Sequence, residues 1–97
     1  MDKVYKYQLV FRGEVQPIEL PLGAEVLHFA VQDSSEGMNP IPLIWAKVDP
    51  GNETETREFI LRGTGHEIGV NLYRTQHIGT VLHGVFVWHL FELQHKE

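Results

Sequence analysis

Apolar and polar residues alternate with a period of two through most of the chain, the pattern of strands that bury one face. Between Lys3 and Phe11, the residues Tyr5, Tyr7, Leu9 and Phe11 share one side, and Val4, Lys6, Gln8 and Val10 the other. Val15 to Leu22 keeps the pattern around Pro17 and Pro21. Proline has no amide proton to give to a ladder, so this segment predicts a short edge strand. Glu25 to Gln32 is apolar on both faces, with Leu27, Phe29 and Val31 against Val26, His28 and Ala30; that predicts a central strand. Leu43 to Val48, Thr54 to Arg62, Gln76 to Leu82 and Val85 to Leu93 complete the series, and the last is again apolar on both sides.

Turn chemistry separates these segments. Asp33 to Pro42 predicts a long loop of hairpin type, Asp49-Pro50-Gly51-Asn52 a second hairpin turn, and His83-Gly84 a third. Gly63 to Gly69 holds three glycines in seven positions, which a helix interior would tolerate only at ~1 kcal/mol each, so it reads as a shaped loop. No strongly amphipathic helix and no internal repeat interrupts the series. The expectation is an all-β fold: a single antiparallel β-sandwich or small barrel of about seven strands, spanning residues 1–97 as one domain. Leu27, Phe29, Val31, Trp45, Phe59, Leu61, Val87, Trp88 and Leu90 are expected in its core.

Composition narrows the function classes. A chain of 97 residues has room for one core, and 42% apolar with 22% charged residues is a globular balance. Eight Lys plus Arg against 13 Asp plus Glu leave a net charge of −5, which opposes general nucleic-acid binding and attraction to an anionic membrane. Without cysteine there is no disulfide, thiolate nucleophile or Cys-ligated metal. No long apolar run or signal-like start is present, so a cytoplasmic protein is expected, with no membrane partner.

Six histidines form the main chemical excess. They show neither a His-Glu-x-x-His helix nor a cupin-like His-x-His pair. His77, His83, His89 and His95 recur every six residues, but the turn at Gly84 breaks the parity that would put them on one face. No metal, cofactor or catalytic residue is therefore expected. The enzymatic alternative, a small His-dependent metalloenzyme, would need His28, His66 and His89 to converge. Ser34 and Ser35 lie in a turn-rich loop without a nucleophile elbow. The candidate ligand site is the loop Gly63-Thr64-Gly65-His66, whose amides can form an anion-binding nest; Arg62 and Arg74 would neutralise a phosphate, and Tyr73 would stack on a base. The plainer alternative is a glycine corner, with Arg62 paired to Glu58 or Glu92. The two-sided apolar character of Val85 to Leu93 predicts a homo-oligomer.

The strings Val4-Tyr5-Lys6-Tyr7, Gly23-Ala24-Glu25-Val26-Leu27-His28, Val31-Gln32, Leu43-Ile44-Trp45-Ala46-Lys47-Val48-Asp49-Pro50, Gly63-Thr64-Gly65-His66, Ile78-Gly79-Thr80-Val81 and Phe86-Val87-Trp88-His89-Leu90-Phe91-Glu92 follow one another over nearly the whole chain. In that order they resemble a family of small proteins, mostly without assigned function, from tailed bacteriophages, prophages and some bacteria. The resemblance implies no catalytic or binding residue. It implies a setting: a phage accessory protein in the host cytoplasm, whose Asp33 to Pro42 loop, longer than the family's turn, can hold individual specificity. The expected function is non-enzymatic binding, serving counter-defence by engaging a host protein or sequestering a small nucleotide-like, phosphate-bearing signal. A structural virion or assembly protein is the other non-enzymatic alternative.

Overall fold

The computed structural model describes residues 1–33, 39–70 and 73–95. Seven antiparallel strands follow in chain order: β1 (Lys3–Gln8), β2 (Gln16–Pro21), β3 (Glu25–Asp33), β4 (Pro40–Val48), β5 (Thr54–Gly63), β6 (Tyr73–His83) and β7 (Phe86–His95). They form two packed sheets, β1-β4-β3 and β2-β5-β7-β6, so the fold is a β-sandwich. Among the described residues no helix is long and apolar enough to cross a membrane.

Strand placement follows local chemistry. Proline-bearing β2 is an edge strand paired only to β5, as its missing amide protons require. β7 lies between β5 and β6, which accounts within one chain for its two apolar faces. β3, expected to be central, is instead an edge strand paired only to β4. Its exposed second face carries His28, whose ring meets Trp45 at 5.9 Å rather than a further strand. The Asp49–Asn52 turn, expected to close a hairpin, instead carries the chain from one sheet to the other. There the Asp49 carboxylate accepts from Gly51 N (3.0 Å), and Asn52 N donates to the Asp49 carbonyl (3.0 Å). The Asp33↔Pro40 pairing establishes the β3–β4 hairpin; Ser34, Ser35 and the rest of the loop to Met38, where individual specificity was expected, lie outside the described residues.

The core contains Leu9, Leu20, Ala24, Phe29, Ile44, Ala46, Val48, Phe59, Leu61 and Leu90, with Trp88 packed against it. Five of the expected core positions, Leu27, Val31, Trp45, Val87 and the partly buried Trp88, are not among its buried residues. The cause in β3 is a bulge between Val26 and His28 that shifts the alternation, so Val26 shares the inner face with Phe29 and leaves Leu27 48% exposed. In β4 the inward parity belongs to Ile44, Ala46 and Val48, and Trp45 takes the outer side.

Two polar groups are buried with the core. Gln16 seals a corner with its side-chain amide, accepting from Val10 N (2.8 Å) and donating to Val10 O (2.7 Å). Glu92 is only 6% exposed and takes a bidentate pair from Arg57, at 2.6 Å from Nε and 2.7 Å from the guanidinium Nη2. The remaining guanidinium edge donates to the Ala24 carbonyl, just before β3 in the other sheet. The hydrogen bond to Glu92 holds the Arg57 pKa above its ordinary value, against the opposing effect of burial. Removing one partner leaves a buried charge unpaired, which costs about 3–5 kcal/mol. Glu92→Ala is therefore expected to lower the unfolding free energy by about that amount in urea titration; a loss below about 1 kcal/mol, the scale of an exposed pair, would show the pair to be incidental.

Where the sheets approach at β3 and β6, Gly79 faces Phe29. A side-chain carbon on Gly79 would meet the Phe29 Cβ at 3.3 Å, and Phe29 is 3% exposed. Gly79→Val should therefore destabilise by about 1–3 kcal/mol through overpacking. Thermal unfolding at or above the wild-type midpoint would contradict this close approach.

Candidate functional site

The Gly63 loop and the β6–β7 turn meet at one end of the sandwich. Thr64 N continues the sheet by donating to Val87 O (3.2 Å), and His66 N closes a turn onto Gly63 O (3.1 Å). The His66 ring then folds over Gly63, where an added Cβ would lie 3.0 Å from two ring atoms, so a side chain there would push the exposed ring outward. His66 and Trp88 together line two adjoining cavities. One, of about 240 Å³, is bounded by Gly63, Thr64, Val85, Phe86 and Val87 as well. The other, of about 390 Å³, adds Gly13, Leu61, Arg62 and Glu67.

An aromatic row backs this end. Trp88 lies 5.5 Å from Phe11 and 6.3 Å from Phe86, and Phe11 stacks on His83 at 5.9 Å. Beyond the row the apolar residues face water: Leu82 is 75% exposed, Val85 91% and Phe86 61%. The type of the turn residues signals the hairpin, but nothing in sequence spacing places its tip beside His66.

The residues expected to hold a phosphate are not gathered around one point. Arg62 donates from Nε to Glu67 O (2.9 Å) and Ile68 O (3.2 Å), and from its terminal nitrogens to Gly13 O (2.6 Å), Leu61 O (3.1 Å) and Ile68 O (3.0 Å). Its guanidinium thus pins the Gly63–Gly69 loop to the turn at Gly13, and neither Glu58 nor Glu92 is its partner. Two of the loop amides, those of Thr64 and His66, already serve backbone carbonyls. Tyr73 and Arg74, adjacent in β6, point to opposite faces of the sheet by strand parity. The Tyr73 hydroxyl donates to Glu58 (3.3 Å); burial, then the Glu58 charge and this bond, hold the phenol above the ordinary tyrosine range.

The histidines expected in a metalloenzyme are also dispersed: His28 is on the outer side of the first sheet, His66 at the sandwich end, and His89 on the outer side of the second. Among the described residues no three His, Cys, Asp or Glu side chains gather as metal ligands. One pairing is not visible in strand parity. His77 and His89 share the outer face of the second sheet because a bulge between His77 and Gly79 shifts β6 by one residue. Their rings lie 6.3 Å apart, and both bond the Thr80 hydroxyl, His77 Nε2 at 3.0 Å and His89 Nδ1 at 2.9 Å. The second nitrogen of His89 meets Thr64 Oγ1 at 2.7 Å.

Fold and site together define a small two-sheet β-sandwich with an aromatic-backed, partly apolar end. The chain belongs to the family described as a domain of unknown function, DUF7352, which matches residues 1–97. No curated protein and no solved structure matches it.

Arg62→Ala is expected to loosen this end without unfolding the sandwich. Amide exchange should accelerate at Gly13 and from His66 to Gly69, with a global loss of about 1–2 kcal/mol, the scale of a charge-assisted hydrogen bond that is partly solvated. Unchanged exchange in both segments would contradict the pinning role.

Proposed function

We propose that this chain is a non-enzymatic binding module that docks a partner protein at the sandwich end. In the phage setting that the sequence resemblance implies, the partner is a host protein and the module an accessory factor of counter-defence. What carries the reading is the exposure of Leu82, Val85 and Phe86 around one hairpin tip, beside the cavity shared by His66 and Trp88. Phe86 lies on the Trp88 side of this hairpin and Leu82 on the Val87 side, so a partner would enclose the tip from both faces; exposed apolar side chains clustered at one place mark interaction sites on otherwise polar proteins. Covering each such side chain contributes on the order of 1.5–3 kcal/mol, and the aromatic row behind the tip supplies a firm base for a docked side chain. Thr64 and His66 offer polar contacts at the rim.

Protein docking is favoured over capture of a phosphate-bearing signal because Arg62 is committed to carbonyl oxygens and Arg74 lies on the other face from Tyr73. The test uses immobilised chain to capture binders from bacterial host lysate, with native mass spectrometry for retained small molecules. Val85→Asp combined with Phe86→Asp, both at exposed positions, should preserve the far-ultraviolet spectrum and abolish capture of a protein that the wild type enriches. Retention of that protein by the double variant would overturn the tip as the docking surface. A retained nucleotide without any captured protein would favour the signal-sequestering alternative instead.

A further inference from the structure

The outer face of the second sheet carries a feature that protein docking at the sandwich end does not use. His77 on β6 and His89 on β7 direct ring nitrogens at the same point, the Thr80 hydroxyl oxygen, from 3.0 and 2.9 Å. A hydroxyl has one proton, so it donates to one of these rings and accepts from the other. Around that oxygen, the two imidazoles already occupy the positions of a converging ligand pair.

Three observations show that the pair is held in place. A regular β6 would put His77 and Thr80 on opposite faces; the bulge between His77 and Gly79 brings both to the outer one. His89 is anchored through its other nitrogen to Thr64 Oγ1 at 2.7 Å. With His89 Nε2 as the donor in that bond, the Nδ1 lone pair is aimed at the shared point, the arrangement by which an outer partner fixes a metal-binding histidine. The His77 ring is supported edge-on by Phe91 at 5.5 Å. His77 and Thr80 are both exposed, leaving the remaining directions open to water.

We propose that His77 Nε2 and His89 Nδ1 bind a borderline divalent transition-metal cation of the copper or zinc class, with water completing its coordination. Bonds of about 2.0–2.1 Å require each ring nitrogen to advance by about 1 Å toward the point now held by the Thr80 oxygen. Rotation of Thr80 about χ1 clears that point. Two imidazoles without a carboxylate discriminate against hard cations, so Mg2+ and Ca2+ are excluded and Cu2+ binds more tightly than Zn2+. Two protein ligands make this an exchangeable site rather than a structural one, which lets the face gain positive charge in a chain whose net charge is −5. Thr64, which anchors His89, also borders the docking end, but the two metal ligands, His77 and His89, are not residues of the hairpin tip.

Isothermal titration of untagged protein with copper, zinc and magnesium chlorides near neutral pH tests it. One equivalent of Cu2+ or Zn2+ should bind per chain, with no heat from Mg2+. His77→Gln and His89→Gln should each weaken binding by about tenfold or more, whereas His28→Gln, on the outer side of the other sheet, should leave it within about twofold. Thr80→Ala removes the competing hydroxyl and should bind at least as tightly as the wild type. Imidazole NMR signals of His77 and His89 should shift or broaden together on metal addition. The proposal is overturned if Cu2+ and Zn2+ fail to bind at millimolar concentration, if binding survives both His77→Gln and His89→Gln, or if His28→Gln weakens it equally. Loss of binding in Thr80→Ala would equally contradict the geometry.

Discussion

The Arg57–Glu92 pair is the constraint on which the rest of the structure turns. A carboxylate and a guanidinium placed at the edge of an apolar core must find each other, since either one alone would be a desolvated charge. Meeting that requirement joins β5 to β7, and the third guanidinium contact, to the Ala24 carbonyl, reaches the connection into the opposite sheet. One side chain thereby ties two strands of one layer to the start of a strand in the other. Phe59, Leu61 and Leu90 continue the inner face from this junction, all at 1% exposure or less.

From this fixed junction, the middle position of β7 distributes function along its length. Leu90 and Glu92 face the core, His89 and Phe91 face outward, and Phe86, Val87 and Trp88 reach the open end. The Gly63 loop is then shaped against that strand: Thr64 bonds both the β7 backbone and the His89 ring, and Arg62 holds the following carbonyls. A firm strand beneath a compliant, uncovered tip suits recognition, because only the tip itself is left to order on binding.

The seven strands and most of their limits were legible because alternation and turn residues are local signals. The prolines of β2 also announced its edge position. Bulges had no comparable signature: the one at Val26/His28 removed Leu27 from the expected core, and the one at His77/Gly79 brought together two histidines that simple parity separates. Long-range pairing was hidden for a related reason. Glu58 and Glu92 were equally reasonable partners for an arginine by composition, yet Arg57 and not Arg62 faces Glu92, because strand register decides which charges share a face. The fate of Arg62 depends on where the Gly13 and Ile68 carbonyls fall in space, which no spacing along the chain encodes. The centrality assigned to β3 failed because apolar residues on both faces are also satisfied at an edge by ring contacts such as His28 with Trp45.

Residue-resolved native-state hydrogen exchange tests the central claim, that a clamped β5–β7 pair supports a compliant binding end. The account predicts that amides of Phe59 to Leu61 and Leu90 to Leu93 exchange only through global unfolding, with free energies equal to that from urea titration, and that Gly84 to Phe86 exchange far faster through local opening. Protection that is greatest in β1 and β3, or that is as strong at the hairpin tip as in β5 and β7, would contradict it.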